Sequence, residues 1–134
     1  MMTVKWRDRY SVLITGEDEP TRDELRSHLE PEGYDTIAAR SGLEAIRIVK
    51  RGRIHVGIFE MHMPDMTGVE ALELIRETVR EPPPCILVSR GVTKELMLRA
   101  LRAHAHTLLP KPLDHALMRV VLEELIRRTY LDIP

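Results

Sequence analysis

Short apolar segments that each end at a polar side chain are the feature that most constrains the fold of this chain. Four such segments span residues 11–16, 54–59, 85–88 and 107–110. If they are parallel strands of one sheet, their carboxyl ends meet at one edge, and ligands bind outside that edge in open α/β sheets. The side chains that we expect at this edge are the pair Glu17 and Asp18, then Glu60, Ser89 and Lys111.

Segments with the apolar spacing of helices alternate with these strands, which indicates a parallel sheet with crossover helices. A weaker strand is predicted at residues 34–39, and helices are predicted after Pro20, after a Ser41 cap, over 69–79, over 92–103 and after an Asp114 cap. In the last helix we expect an inward face of Leu117, Val120, Val121 and Leu125. Right-handed crossovers on both faces predict a flavodoxin-like (βα)5 fold, a doubly wound five-stranded parallel sheet in the order 2-1-3-4-5.

The length of 134 residues predicts one domain. We expect an N-terminal extension over residues 1–10, the domain over 11–130, and a C-terminal tail or the start of a linker over 131–134. The net charge of −1 does not favour binding to nucleic acid or to an acidic membrane. No apolar run reaches the roughly 20 residues that span a bilayer. A single cysteine, Cys85, indicates a reducing compartment, so we expect a cytoplasmic protein.

Three motifs in this order resemble the receiver domain of two-component response regulators, and the resemblance covers nearly the whole chain. Residues 13–20 resemble the first strand and acidic pair of the family, residues 63–68 the proline-and-glycine loop after the phosphorylated position, and residues 109–112 the lysine-proline turn. The resemblance implies a site in which the acidic pair and an acceptor aspartate hold Mg²⁺. The aspartate takes a phosphoryl group from a phosphohistidine, and the lysine and the hydroxyl then contact the phosphoryl oxygens.

Glu60 departs from this pattern because it stands where the family has the acceptor aspartate. Its carboxylate lies one methylene farther from the backbone, which removes the near-attack geometry that phosphoryl transfer needs. Three interpretations stay open. Glu60 is a permanent partial mimic of the phosphorylated state, with one negative charge in place of nearly two, or it is an inert replacement, or it is phosphorylated after all.

Two further positions depart from the family. Arg90 replaces a small residue, so it either narrows the site, neutralises the carboxylates in place of a metal, or points to solvent. Leu108 replaces the aromatic residue that moves on activation, which argues against the usual switch. No cofactor is required on this interpretation. Mg²⁺ can still bind at low occupancy through Glu17, Asp18, Glu60 and the backbone carbonyl of His62.

The favoured hypothesis is a pseudo-receiver without enzymatic activity that signals by contact with a histidine kinase, an output domain or another signalling protein. A homodimer through the face of the fourth helix, last strand and fifth helix is a further expectation. One alternative is a receiver that is phosphorylated on another acidic residue, such as Asp18 or Asp65. The other is a Mg²⁺-dependent phosphatase on a similar fold, although the stretch after Asp18 lacks the second aspartate of such enzymes.

Overall fold

A computed structural model describes residues 10–16 and 18–131, and its five strands form one parallel sheet. The strands are β1 (Ser11–Thr15), β2 (Asp35–Ala39), β3 (Val56–Glu60), β4 (Cys85–Ser89) and β5 (Thr107–Pro110). Their order in the sheet is β2-β1-β3-β4-β5. The predicted fold class and strand order are confirmed.

Five helices connect the strands. They are α1 (Glu19–Leu29), α2 (Gly42–Lys50), α3 (Gly68–Thr78), α4 (Lys94–Arg102) and α5 (His115–Ile126), with a short 3₁₀ segment at Glu30–Glu32 and a π-helical turn at Arg127–Leu131. The predicted caps are confirmed, because Ser41 accepts the N–H of Glu44 and Asp114 accepts the N–H of Leu117. Among the described residues, no helix has the length and apolarity needed to cross a membrane.

Two hydrophobic cores lie on opposite faces of the sheet. Successive strand residues point to opposite faces, so Leu13 and Phe59 join one core while Ile14 and Ile58 join the other. The first core is closed by α2, α3 and Ala100 of α4, and the second by α1 and α5. The sheet is therefore buried on both faces, as expected of a doubly wound fold.

The predicted inward face of α5 is wrong at two positions. Leu117 and Val120 are 44% and 59% exposed. The buried residues are Met118, Leu122, Leu125 and Ile126. The helix carries apolar residues on two stripes, and the buried stripe follows the i, i+4, i+7, i+8 spacing of a core-facing helix. The other stripe, with Leu117 and Val120, is left on the surface.

The two ends of the chain lie largely outside the described residues, which exclude 1–9 and 132–134. Tyr10, which we assigned to the N-terminal extension, is buried and packs edge-on against His55 at 4.9 Å between ring centroids. Tyr130 closes this corner by donating its hydroxyl proton to the carbonyl of His55 at 2.6 Å. The ring cluster joins both ends of the described chain to the amino-terminal side of β3.

Candidate functional site

Glu60 is the last residue of β3, at the carboxyl edge of the sheet. Its backbone N–H donates to the Thr15 hydroxyl at 2.9 Å, which ties the end of β3 to the end of β1. In the pairing of β3 with β4, Glu60 lies opposite Val88. The side chain of Glu60 is 15% exposed, so its carboxylate is largely shielded from solvent.

Lys111 forms an ion pair with Glu60 through its Nζ and the carboxylate Oε1. The backbone brings it there, because the N–H of Lys111 donates to the carbonyl of Ser89 at 2.9 Å as β5 ends beside β4. The Lys111 side chain is 19% exposed. An ion pair this far from bulk water is screened less by salt than an exposed pair. Glu60 therefore has a fixed cationic partner within the chain itself.

Arg22 is a site residue that the sequence reasoning missed. It is only 8% exposed, and its guanidinium donates to the carbonyl of Gly16 at the end of β1. A methyl group on Gly16 would lie 3.4 Å from Cγ of Glu60 and 3.8 Å from Cγ of Arg22, so these two side chains flank the same point. Arg22 lies on the same face of α1 as the buried Leu25 and Leu29. This spacing is the sequence signal that could have identified Arg22 as an inward residue.

The acidic pair is described only at Asp18, because Glu17 lies outside the described residues. Asp18 is exposed and precedes α1, and its carboxylate accepts the Thr21 hydroxyl at 2.5 Å. A carboxylate before the first turn of a helix is stabilised by the helix dipole and the free N–H groups there. The prediction that Asp18 contributes to a metal site stays a prediction.

Ser89 and Lys111 open onto different clefts. Ser89 is 1% exposed and donates its hydroxyl proton to the carbonyl of Gly91 at 3.0 Å. It lines a cleft of about 300 Å³ together with His62 and the start of α4. Lys111 instead lines a cleft of about 410 Å³ beside α1 and α5. The predicted residues share one edge of the sheet, but two clefts flank it.

Arg90 and Leu108 take different places at this edge. Arg90 is exposed and lines the same cleft as Lys111, and it forms no ion pair within residues 10–16 and 18–131. The cation that contacts Glu60 is therefore Lys111. Narrowing of the cleft by Arg90 stays a prediction. Leu108 is half-buried in β5 against the first core.

Asp65 joins the loop after β3 to the start of α2. Its two carboxylate oxygens accept the N–H groups of Gly42 and Leu43, each at 2.9 Å. Desolvation acts to raise the pKa of Asp65, but these hydrogen bonds and those from its own N–H and that of Met66 outweigh it and hold the pKa below its usual value. Both oxygens are therefore engaged in holding the backbone.

Comparison with known proteins agrees with this geometry. A family model for the response regulator receiver domain matches residues 12–123. The response regulator MprA of Mycobacterium leprae is 32% identical over 123 residues, which cover 90% of this chain and 53% of that protein. The chain thus spans about half the length of the curated relatives it matches.

Solved structures show the same fold. A response regulator receiver domain protein (CheY-like) from Methanospirillum hungatei is 26% identical, with a TM-score of 0.80 over 89% of this chain and 95% of that chain. A two-component response regulator from Clostridium difficile has a TM-score of 0.84 over 90% of this chain and 98% of that chain, and its 21% identity supports the fold alone. Since the family model covers most of the chain and the sheet has the same architecture, this chain belongs to the family of response regulator receiver domains.

Proposed function

We propose that this receiver domain signals through protein contacts without ordinary aspartate phosphorylation, with Glu60 at the phosphoacceptor position. The observation that carries the proposal is the ion pair between Glu60 and Lys111. In a phosphorylatable site the acceptor carboxylate attacks the phosphoryl group, and the lysine then contacts the phosphoryl oxygens. Here the carboxylate of Glu60 and the ammonium group of Lys111 already bind each other.

The reach of Glu60 supports the same conclusion. Phosphoryl transfer depends on reacting atoms about 3–3.5 Å apart and in line, with little tolerance for displacement. The extra methylene carries the carboxylate past the position of an aspartate and into contact with Lys111. An attack by Glu60 would first require this half-buried pair to separate.

A resident Mg²⁺ is not required to neutralise Glu60 in this proposal. Lys111 pairs with the carboxylate and supplies it with a cationic partner, and the buried Arg22 lines the same small gap as Glu60. The gap next to Glu60 that Thr15 and Arg22 line is about 10 Å³, which holds one water molecule at most. Mg²⁺ usually keeps several waters in proteins. The oxygens of Asp18 remain suitable ligands, consistent with weak binding at most.

Glu60 resembles the phosphorylated state only in part. A phosphoryl group offers nearly two charges and three acceptor oxygens, whereas Glu60 offers one charge that Lys111 already meets. The Ser89 hydroxyl does not turn toward Glu60 but donates to Gly91. We therefore favour a site held in one fixed state, in which Lys111 contacts Glu60 and the Ser89 hydroxyl does not.

The partner surface in this proposal is the face of α4, β5 and α5. Large apolar side chains are exposed there: Met97, Leu98, Leu101, Leu117 and Val120. Contiguous exposed apolar patches mark interaction sites, and we propose that these side chains form such a patch. A protein partner, either a second copy or another signalling protein, would cover it. Arg119 of α5 pairs instead with Glu32, with its Nη1 4.0 Å from Oε1 of Glu32.

Phosphorylation on another residue is the remaining alternative for this site. Asp65 is a poor candidate because both its oxygens hold the start of α2. Asp18 is exposed, and among the described residues its carboxylate accepts a hydrogen bond only from Thr21, so it is the better candidate of the two. No geometry at the site favours the phosphatase alternative.

The test is intact-mass measurement after incubation with Mg²⁺ and a small phosphodonor such as acetyl phosphate. We expect no added phosphoryl group on the wild type and measurable addition in Glu60→Asp, with Glu60→Gln as the matched control that stays unmodified. Addition to the wild type would contradict the proposal. Asp18→Asn and Asp65→Asn would then show which carboxylate accepts the group.

A further inference from the structure

A cluster of two histidines and one glutamate joins α1 and α5 and shares no residue with the Glu60–Lys111 pair. Glu24 and His28 are four residues apart on α1, and His115 is the first residue of α5. One ligand atom from each residue lies within 4.8 Å of the others. The imidazoles of His28 and His115 are stacked, with centroids 3.7 Å apart and planes 10° from parallel.

We propose that this cluster is a binding site for a late first-row divalent transition-metal ion, and we use Zn²⁺ as the representative ion. Zn²⁺ takes imidazole nitrogens and carboxylate oxygens and commonly uses three protein ligands with a fourth position open to water. Ni²⁺ and Cu²⁺ favour the same nitrogen ligands. Mg²⁺ prefers oxygen ligands and is excluded by this chemistry. The site is separate from any Mg²⁺ at Glu60 and does not depend on the proposed function.

To bind one ion, the stacked imidazoles of His28 and His115 must turn out of their parallel arrangement, because a ring nitrogen binds a metal in the plane of its ring. Ligand atoms of a tetrahedral Zn²⁺ site lie roughly 3.3 Å apart, given bond lengths of about 2.0–2.1 Å. Nε2 of His115 already lies 3.2 Å from Oε1 of Glu24. Glu24 and His28 are exposed and free to rotate toward His115. Two ligands four residues apart on a helix lie on one face, so α1 presents them together.

An unsatisfied nitrogen gives independent support. Nδ1 of His115 is buried and has no hydrogen-bond partner within the described chain. Buried polar atoms are nearly always paired, and an unpaired one destabilises the fold. Since no hydrogen bond holds Nδ1, the ring of His115 can turn to place one of its two nitrogens on an ion, and Nε2 already faces Glu24 at 3.2 Å.

A bound ion would connect two helices and alter the charge of a cleft. Glu24 and His115 line the cleft of about 410 Å³ that also holds Lys111 and Arg90. The repulsion that Lys111 would exert on the ion is reduced because its charge is paired with Glu60. Through this cleft, metal binding would add positive charge beside the proposed signalling site.

The test is thermal unfolding of the full chain with and without Zn²⁺, with Mg²⁺ as the metal control. At a Zn²⁺ concentration about a hundredfold above its Kd, ligand linkage predicts a rise in Tm of about 5–10 °C for a domain of this size. Calorimetric titration should give one ion per chain. In His28→Gln and His115→Gln the Zn²⁺ affinity should fall by more than the roughly 10–100-fold that loss of a supporting contact costs.

The matched control is His104→Gln, which removes an exposed histidine outside the cluster and should leave Zn²⁺ affinity unchanged. Visible absorption of bound Co²⁺, lost in His28→Gln but not in His104→Gln, gives a second measurement that does not depend on stability. Equal Zn²⁺ affinity in the wild type and both cluster variants would overturn the proposal. So would binding that occurs only through dimers bridged by the ion, seen by light scattering.

Discussion

Helices α3 and α4 lie against the same face of the sheet, yet one is firmly packed and the other is not. In α3 the residues Val69, Ala71, Leu72 and Ile75 are buried, and Thr67 and Glu70 form a capping box at its start. In α4 only Ala100 is buried. Met97, Leu98 and Leu101 of α4 are 56%, 45% and 69% exposed. The two helices therefore differ in where they place their apolar side chains.

This difference in packing suggests different roles: α3 holds the Glu60 site in place, and we propose that α4 contacts a partner protein. Gly68 at the start of α3 donates its N–H to the carbonyl of Met61 at 2.8 Å, next to Glu60. Movement of α3 would therefore disturb the site directly. Since α4 contributes one buried side chain, little packing opposes a shift of this helix, and its exposed apolar surface is available to another protein.

Truncation of one leucine in each helix should give the largest contrast. Leu72→Ala should lower the free energy of unfolding by about 2–5 kcal/mol, because it leaves a cavity in the first core. Leu101→Ala should change it by less than about 0.5 kcal/mol, as surface substitutions do. Urea denaturation of the two variants at the same protein concentration measures both. A large loss in Leu101→Ala would mean that α4 is packed more firmly than we infer.

A methyl group added at the start of α3 should have the next largest effect. An alanine Cβ at Gly68 would lie 2.5 Å from the carbonyl oxygen of Glu60 and 2.8 Å from Cδ2 of Leu87. The backbone oxygen cannot move freely, so we expect Gly68→Ala to destabilise the domain by about 1–3 kcal/mol.

The matched control is Gly91→Ala, before α4, where an added Cβ meets nothing within 4 Å. Its free energy of unfolding should stay close to that of the wild type. Equal destabilisation of the two variants in the same denaturation experiment would show that the contrast between the helices does not extend to their connecting loops.

The loop that leads to α3 should make stability depend on pH through Asp65. The folded state holds the pKa of Asp65 below its usual value, so its ionised form stabilises the fold above the unfolded pKa. This contribution is lost as the pH falls through the lowered folded pKa. Asp65→Asn loses the charge and one of the two acceptor oxygens, so it should lower the free energy of unfolding by about 1 kcal/mol near neutral pH, as loss of one hydrogen bond does, and by much less at pH about 3.

Denaturation across this pH range measures the difference, and Asp23→Asn at an exposed position of α1 is the control. A cost of Asp65→Asn that does not change with pH would show that the charge of Asp65 is not what holds the loop.

The sequence predicted the fold because its signals agree at every level. Apolar runs, a proline at the start of α1 and capping residues all indicated the same elements. At the site it placed Lys111 near Glu60 through the strand order alone. It did not reveal Arg22, because a charged residue on an apolar stripe is usually assigned to the surface.

The error in α5 has a different physical origin. Both stripes of the helix are apolar, so periodicity could not decide between Leu117 and Met118 as core residues. The exposed stripe is part of the surface that we propose for a partner. A helix that packs inward on one face and binds another protein on a second face has two apolar stripes. Either stripe fits the sequence pattern of a buried face, and only the tertiary structure shows which one is buried.

We propose that Glu60 and Lys111 hold the site in one state without phosphorylation. The most direct measurement is a pair of amide NMR spectra of the wild type, before and after addition of Mg²⁺ and a phosphodonor, with Glu60→Asp measured alongside. We predict unchanged amide positions in α4 and β5 of the wild type and clear shifts in Glu60→Asp. Shifts of the same size in α4 and β5 of the wild type would contradict the account.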